Sequence, residues 1–216
     1  GGEPLLYPNI DELIQYIKLK GIEVSIITNG VLLSESFIKK HEGILDTIGI
    51  SMDSLSEEVL LELGCKTSNG KFLTKEMFFN IAKSIKQHGM ELKVNTVVTK
   101  SNFNDILAED LSELGIDRWK ILKMKPFKTS EFNNHHLDIT TEEFYKFIDN
   151  NKDIKNIVIE ESMVNSYIII DSQGFLVDNS SEEYVKVADA KSDTFTEDFL
   201  NFNLDKELYS KRYIEQ

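Results

Sequence analysis

Five cations fall within eleven residues, Arg118 to Lys128, in a chain whose 24 Lys and Arg stand against 37 Asp and Glu for a formal net charge of -13. Arg118-Trp119-Lys120-Ile121-Leu122-Lys123 reads as a β-strand that runs into a loop at Pro126. Side chains alternate faces along a strand, so Arg118 and Lys120 point one way and Trp119 and Ile121 the other. An earlier strand-like run, 91–99, repeats the pattern: Lys93 and Asn95 share one face, and Leu92, Val94 and Thr96 share the opposite one. Neighbouring strands that both aim cations at one face repel each other unless an anion lies between them, and a polyphosphate is the natural candidate. The competing reading is a pair of edge strands with solvated lysines. On this parity Trp119 packs into a core beneath a helix and does not stack on a ligand.

Three short polar groups recur at strand-like ends: Gly1-Gly2-Glu3-Pro4, Thr28-Asn29-Gly30 and Ser51-Met52-Asp53-Ser54. A glycine pair lets backbone amides and carbonyls approach a ligand without side-chain obstruction. Glu3 can hold an amine or hydroxyl, and Asn29, Ser51 and Asp53 supply neutral and acidic hydrogen-bond partners. Ligands of parallel α/β folds sit at the carboxyl ends of the strands, so this recurrence defines a candidate site. Other chemistries find less support. His135-His136 has no partner at metal-ligand spacing and reads as exposed loop histidines. No Gly-x-Ser-x-Gly elbow is present. Glu160 and Glu161 are a candidate acid/base pair, of which strand alternation admits one into a site. The single cysteine, Cys65, reads as a packing residue and excludes an intramolecular disulfide, which suits a reducing cytoplasm.

Capping signals and apolar periodicity divide the chain into alternating strands and helices that would position these groups. Asn9-Ile10-Asp11-Glu12 reads as a capping box opening a helix that ends at Gly21, and 22–28 as a buried strand. Ser34 starts a short helix, 47–52 is a strand, and Ser54 with Glu57 caps a helix running to Leu63. The next helix carries Phe78, Ile81, Ala82 and Ile85 on one face. Strand 91–99 follows, then a helix opened at Asn102 and closed by Gly115, then strand 117–124. This order predicts an α/β fold with parallel strands and outer helices: an incomplete (β/α)6 partial barrel whose first β/α unit is missing. Residues 1–126 form its core. Residues 127–216 form a C-terminal α+β extension with a helix capped by Thr140 and Glu143, strand-like runs at 156–160 and 167–170, and an acidic irregular tail.

Composition narrows the class. A hydrophobic content of 41% with three prolines is that of a folded protein. No apolar run has membrane-spanning length and no signal peptide opens the chain. The acidic balance argues against nucleic acid as a partner, because such binding needs a basic surface.

Gly1-Gly2-Glu3-Pro4, Thr28-Asn29-Gly30 and Ile50-Ser51-Met52-Asp53-Ser54, in that order, resemble the radical S-adenosylmethionine superfamily. Lys93-Val94-Asn95, Arg118-Trp119-Lys120 and Ser166-Tyr167 with a glutamate upstream further resemble its viperin-like branch of antiviral nucleotide-modifying enzymes, especially the prokaryotic ones. The resemblance implies S-adenosyl-L-methionine held by Gly1, Gly2, Glu3, Asn29, Ser51 and Asp53. It implies a ribonucleoside triphosphate (CTP, UTP or GTP) held by Lys93, Asn95, Arg118, Lys120 and Arg212, with catalytic positions at Tyr167 and Glu161. The implied reaction abstracts hydrogen from C4′, expels the 3′-hydroxyl as water and yields a 3′-deoxy-3′,4′-didehydro nucleotide. A reductant is the further partner, and the protein is expected to be cytoplasmic and monomeric. The resemblance also implies a 4Fe–4S cluster on a Cys-x3-Cys-x2-Cys motif that this chain lacks, so the ligands are expected upstream of residue 1. Two rivals stand beside this reading. One is another radical enzyme of the superfamily, such as a peptide maturase; the other is a cluster-less, non-catalytic nucleotide-binding barrel.

Overall fold

Ile48, Ile50, Leu92, Val94, Val98, Trp119 and Ile121 occupy alternate positions along three segments, and all seven are buried on one face of a parallel sheet. The computed structural model of the protein describes residues 2–67, 69–128, 133–181 and 184–213, with side chains to residue 210. Its main sheet has five strands in chain order: β1 (Ser25–Thr28), β2 (Thr47–Ser51), β3 (Glu91–Val98), β4 (Arg118–Lys123) and β5 (Ile157–Glu160). Each runs parallel to its neighbour. Parallel neighbours need crossovers, and these are helical. In chain order the helices are α1 (Ile10–Leu19), α2 (Glu35–Lys40), α3 (Glu57–Glu62), α4 (Lys75–Gln87), α5 (Ala108–Glu113) and α6 (Thr141–Asn150). Phe78, Ala82 and Ile85 of α4, Leu111 of α5 and Phe144 and Phe147 of α6 close one core with the strand residues. Among the described residues no helix is long and apolar enough to cross a membrane.

Trp119 fixes the parity of β4. Its ring meets Phe147 edge-on with centroids 5.9 Å apart, and its indole N–H donates to Thr96 Oγ1 at 3.0 Å. With Trp119 in the core, Arg118 and Lys120 face the other side of the sheet.

By its contacts the chain forms two units: residues 2–124 with 139–160, which hold this sheet, and 125–138 with 161–216. The second contains an antiparallel sheet of β6 (Ile169–Ile170), β7 (Phe175–Asp178) and β8 (Val185–Asp189), followed by α7 (Phe195–Leu200) and α8 (Lys206–Tyr213). Buried Asn179 organises it: its side chain accepts from Asn165 N at 2.7 Å and donates to Met163 O at 2.8 Å, fixing the backbone just ahead of Ser166-Tyr167. The structure therefore divides the chain differently from a cut at 126. α6 and β5 return to the parallel sheet, because Ile157 to Glu160 register on Trp119 to Leu122. In the sequence, Pro126 and the polar run that follows it hide that return.

Local signals account for some helix starts. Ser34 accepts from Phe37 N, and Thr140 with Glu143 forms a full capping box. Three others differ from the sequence pattern. Asn9 precedes α1 without a side-chain cap bond. α3 is capped by Ser56, because Ser54 is fully buried and donates to Asp105 at 2.5 Å. α5 starts at Ala108 and not at Asn102, and its cap arrives from another helix end: Asn151 Oδ1 accepts from Leu107 N (2.7 Å) and Ala108 N (3.0 Å). Asn151→Ala removes both bonds and also the donations to Asp105 O and Phe147 O. We expect a loss of about 2–3 kcal/mol, read as a lower urea midpoint at unchanged slope.

Candidate functional site

The face of the main sheet opposite the core carries the cations. Register places Gly49, Lys93 and Arg118 in one row and Ser51, Asn95 and Lys120 in the next. A Cβ at Gly49 would lie 2.3 Å from Ile27 Cδ1, so a side chain there would have to displace the exposed tip of Ile27. Lys120 is 9% exposed and forms an ion pair with Glu160, which is 5% exposed. Burial pushes the Lys93 ammonium down to about 8, helped by the charges of Lys120 and Arg118 and opposed by Glu160. Asn95 Oδ1 is buried and finds no hydrogen-bond partner among the described residues. An orphaned acceptor between Ser51 and Lys120 suits the N–H or O–H of a ligand.

The rim after β1 and β2 is a second feature of the same unit. Asn29, Ser51 and Asp53 line one cavity of about 210 Å³ with Cys65 and Leu73. Glu3 stands behind it: its carboxylate accepts from Leu5 N (3.1 Å), Thr28 Oγ1 (2.6 Å) and Asn29 N (2.8 Å). It therefore fixes the turn that presents Asn29. Gly2 is exposed at φ 101°, a backbone geometry that glycine adopts without strain. Asp53 Oδ1 accepts from Val97 N at 2.7 Å, and the Cys65 thiol lies 3.7 Å from Oδ2. Burial pushes the Asp53 carboxyl up to about 6 against those two bonds. Burial and the adjacent carboxylate push the Cys65 thiol up to about 12.

Two buried polar residues hold this rim to the core. Asn102 donates to Asp53 O (2.6 Å) and Val97 O (2.9 Å) and accepts from Thr99 N (2.6 Å). Thr96, which accepts from Trp119, donates to Met52 O at 2.7 Å. The position of Asp53 thus depends on the same packing that orients the cations.

The structure brings Asn29, Ser51 and Asp53 together, and separately Lys93, Asn95, Arg118 and Lys120. It turns Glu160, not Glu161, onto the cation face, because Glu160 registers with Leu122 two residues beyond Lys120. The expectation for Glu161 concerns a catalytic role, which the pairing of β5 does not address; parity counted across the β4–β5 pair puts Glu160 beside the cations, and that register is tertiary information. Glu161 is exposed and Tyr167 partly buried, and both belong to the second unit. Gly1 and the Arg212 side chain lie outside the described residues. His135 and His136 are exposed.

The sheet and its rim define a partial barrel of the radical SAM type: the model of the Radical SAM superfamily matches residues 1–120. Streptococcus suis SuiB bound to S-adenosylmethionine superposes with a TM-score of 0.61 at 17% identity, over 99% of this chain and 55% of that one. Native anSMEcpe with bound AdoMet gives 0.68 at 18%, over 96% and 66%. Among curated proteins, an S-adenosylmethionine-dependent nucleotide dehydratase of Selenomonas ruminantium is 33% identical over 99% of this chain and 80% of its own length. One of Lacinutrix mariniflava is 38% identical over 84% of this chain, which spans 39% of that protein. The chain belongs to the radical SAM superfamily and, within it, to the family of S-adenosylmethionine-dependent nucleotide dehydratases.

The rim residues fit S-adenosylmethionine, which carries an ammonium, a sulfonium and ribose hydroxyls for Asp53, Asn29 and Ser51 to meet. An iron–sulfur cluster does not fit the residues present: one cysteine exists, and its thiol is held protonated beside Asp53.

A carboxyl raised from 3.8 to about 6 favours the fold fully below pH 3.8 and loses that contribution as pH rises through 6. Asp53→Asn keeps an acceptor for Val97 N and carries no charge. It should melt about 2–4 °C above the wild type at pH 7.5, with the gap closing towards pH 4. Equal melting at both pH values would contradict the burial of that charge.

Proposed function

We propose that this chain binds S-adenosylmethionine at the rim cavity and a ribonucleoside triphosphate on the cation face. It would do so as the substrate-holding body of a viperin-like nucleotide dehydratase, whose product is the 3′-deoxy-3′,4′-didehydro nucleotide. The observation that carries this reading is the array of Lys93, Arg118 and Lys120 in adjacent register with the orphaned Asn95 oxygen, in a family whose relatives are named nucleotide dehydratases. S-adenosylmethionine, when bound, would supply the reacting group, whereas an iron–sulfur cluster would need thiolates that the residues present do not offer. The three cations hold phosphates away from the reacting sugar, the kind of remote binding that positions a substrate. Asn95 Oδ1 accepts from the ligand, and Asp53 receives a hydroxyl or ammonium of the cofactor. The roles of Tyr167, Glu161 and Arg212 belong to this proposal on the resemblance alone.

The other superfamily reading, a peptide-modifying enzyme, draws no support from the curated relatives, which are named nucleotide dehydratases. SuiB and anSMEcpe, at 17–18% identity, support the fold and nothing finer. Calorimetry with the chain itself separates the two. CTP, UTP or GTP should bind more tightly than the matching nucleoside, since the cations read phosphate. Binding of S-adenosylmethionine without any nucleoside triphosphate would overturn the reading.

Lys93 gives that experiment a pH signature. In the empty site its ammonium sits at about 8, lowered by burial, Lys120 and Arg118 and supported by Glu160. A phosphate placed beside it raises that value, so binding at pH 8.5 takes up a proton, and affinity falls as pH climbs from 7 to 9.5. Titrations in buffers of different ionisation heat read the uptake. Lys93→Met should abolish it and weaken triphosphate binding roughly 5–20-fold.

A further inference from the structure

We propose that Glu160 is an internal counter-anion of the cation face, paired with Lys120 until a polyphosphate displaces it, so that it keeps small anions off that lysine. The inference rests on the polyphosphate reading of the same face. Glu160 ends β5 after three apolar residues, Ile157, Val158 and Ile159, and registers beside Leu122. Its side chain is 4% exposed and that of Lys120 is 11% exposed.

An apolar residue would pack against Leu122 at this position. Replacing a buried ion pair with apolar groups is often neutral or stabilising, so fold stability alone does not explain the acid. The electrostatics do. Lys93, Arg118 and Lys120 stand in adjacent register, and Glu160 is the carboxylate that pulls against their mutual repulsion at Lys93. A ligand phosphate reaching Lys120 meets that carboxylate and must take its place.

Orthophosphate exchanges one anion for another at Lys120 and gains little. A polyphosphate reaches Lys93 and Arg118 in the same molecule, and its later contacts form at high effective concentration. Glu160 thereby raises the number of simultaneous cation contacts a ligand needs before it can stay.

Inorganic tripolyphosphate is the probe, titrated calorimetrically into the wild type and Glu160→Gln at pH 6.5, where Lys93 is charged. Glu160→Gln should bind it about tenfold more tightly, and millimolar orthophosphate should compete in that variant but not in the wild type. Glu160→Asp keeps the charge on a shorter arm and should give a smaller gain, which keeps the question answerable should the Gln variant misfold. Unchanged or weaker tripolyphosphate binding in folded variants overturns the proposal and makes Glu160 a clamp that positions Lys120. A lack of orthophosphate competition in folded Glu160→Gln overturns it too. If the wild type binds neither tripolyphosphate nor a nucleoside triphosphate, the polyphosphate reading itself fails, an outcome distinct from both.

Discussion

The burial of Trp119 between Phe147 and Thr96 determines what the open face of the sheet can be. Side chains alternate along a strand, so committing the indole to the helix-covered core commits Arg118 and Lys120 to the other side. A slip of one residue would put two cations against Val94 and Phe147 and turn Trp119 and Ile121 out of the core. Register then carries the choice sideways to Lys93 and Asn95 on β3 and to Glu160 on β5. Through Thr96 and Met52 O it also reaches the rim beside Asp53.

Charge is arranged by depth along the strands. Lys93 and Arg118 pair near the start of β4, Asn95 and Lys120 pair two residues on, and Glu160 comes after them. Asp53 lies beyond the end of β2. From Lys93 towards the strand ends the charge on this face passes from cationic to acidic, with Glu91 below Lys93 at the start of β3. A ligand with an anionic tail and a neutral or cationic head matches that gradient in one orientation.

Much of this arrangement is legible in the sequence. The two-residue period exposes the faces of β3 and β4, because every core position on them is apolar, aromatic or, at Thr96, hydrogen-bonded inward. Polar clusters at strand ends mark the rim. What the pattern does not carry is tertiary. Asn102 resembles a helix opener but turns inward to bond Asp53 O, while the cap for α5 comes from Asn151. Ser54 likewise resembles a cap, yet its hydroxyl is bonded to Asp105. Glu160 and Glu161 are chemically identical neighbours, and only pairing with β4 tells them apart.

The sheet unit is interrupted: residues 125–138 belong elsewhere before α6 and β5 rejoin β4. A ribosome that has released residue 126 has made four strands but neither the last hydrogen-bonding partner of β4 nor the aromatic cover of Trp119. Until residue 160 emerges, the nascent chain presents an unpaired parallel edge beside an uncovered indole, a surface that invites chaperones or aggregation. The natural unit of folding is thus longer than the four-strand run that looks self-sufficient in the sequence. Gene fusions or truncations cut at Pro126 would sever one hydrophobic core rather than separate two domains.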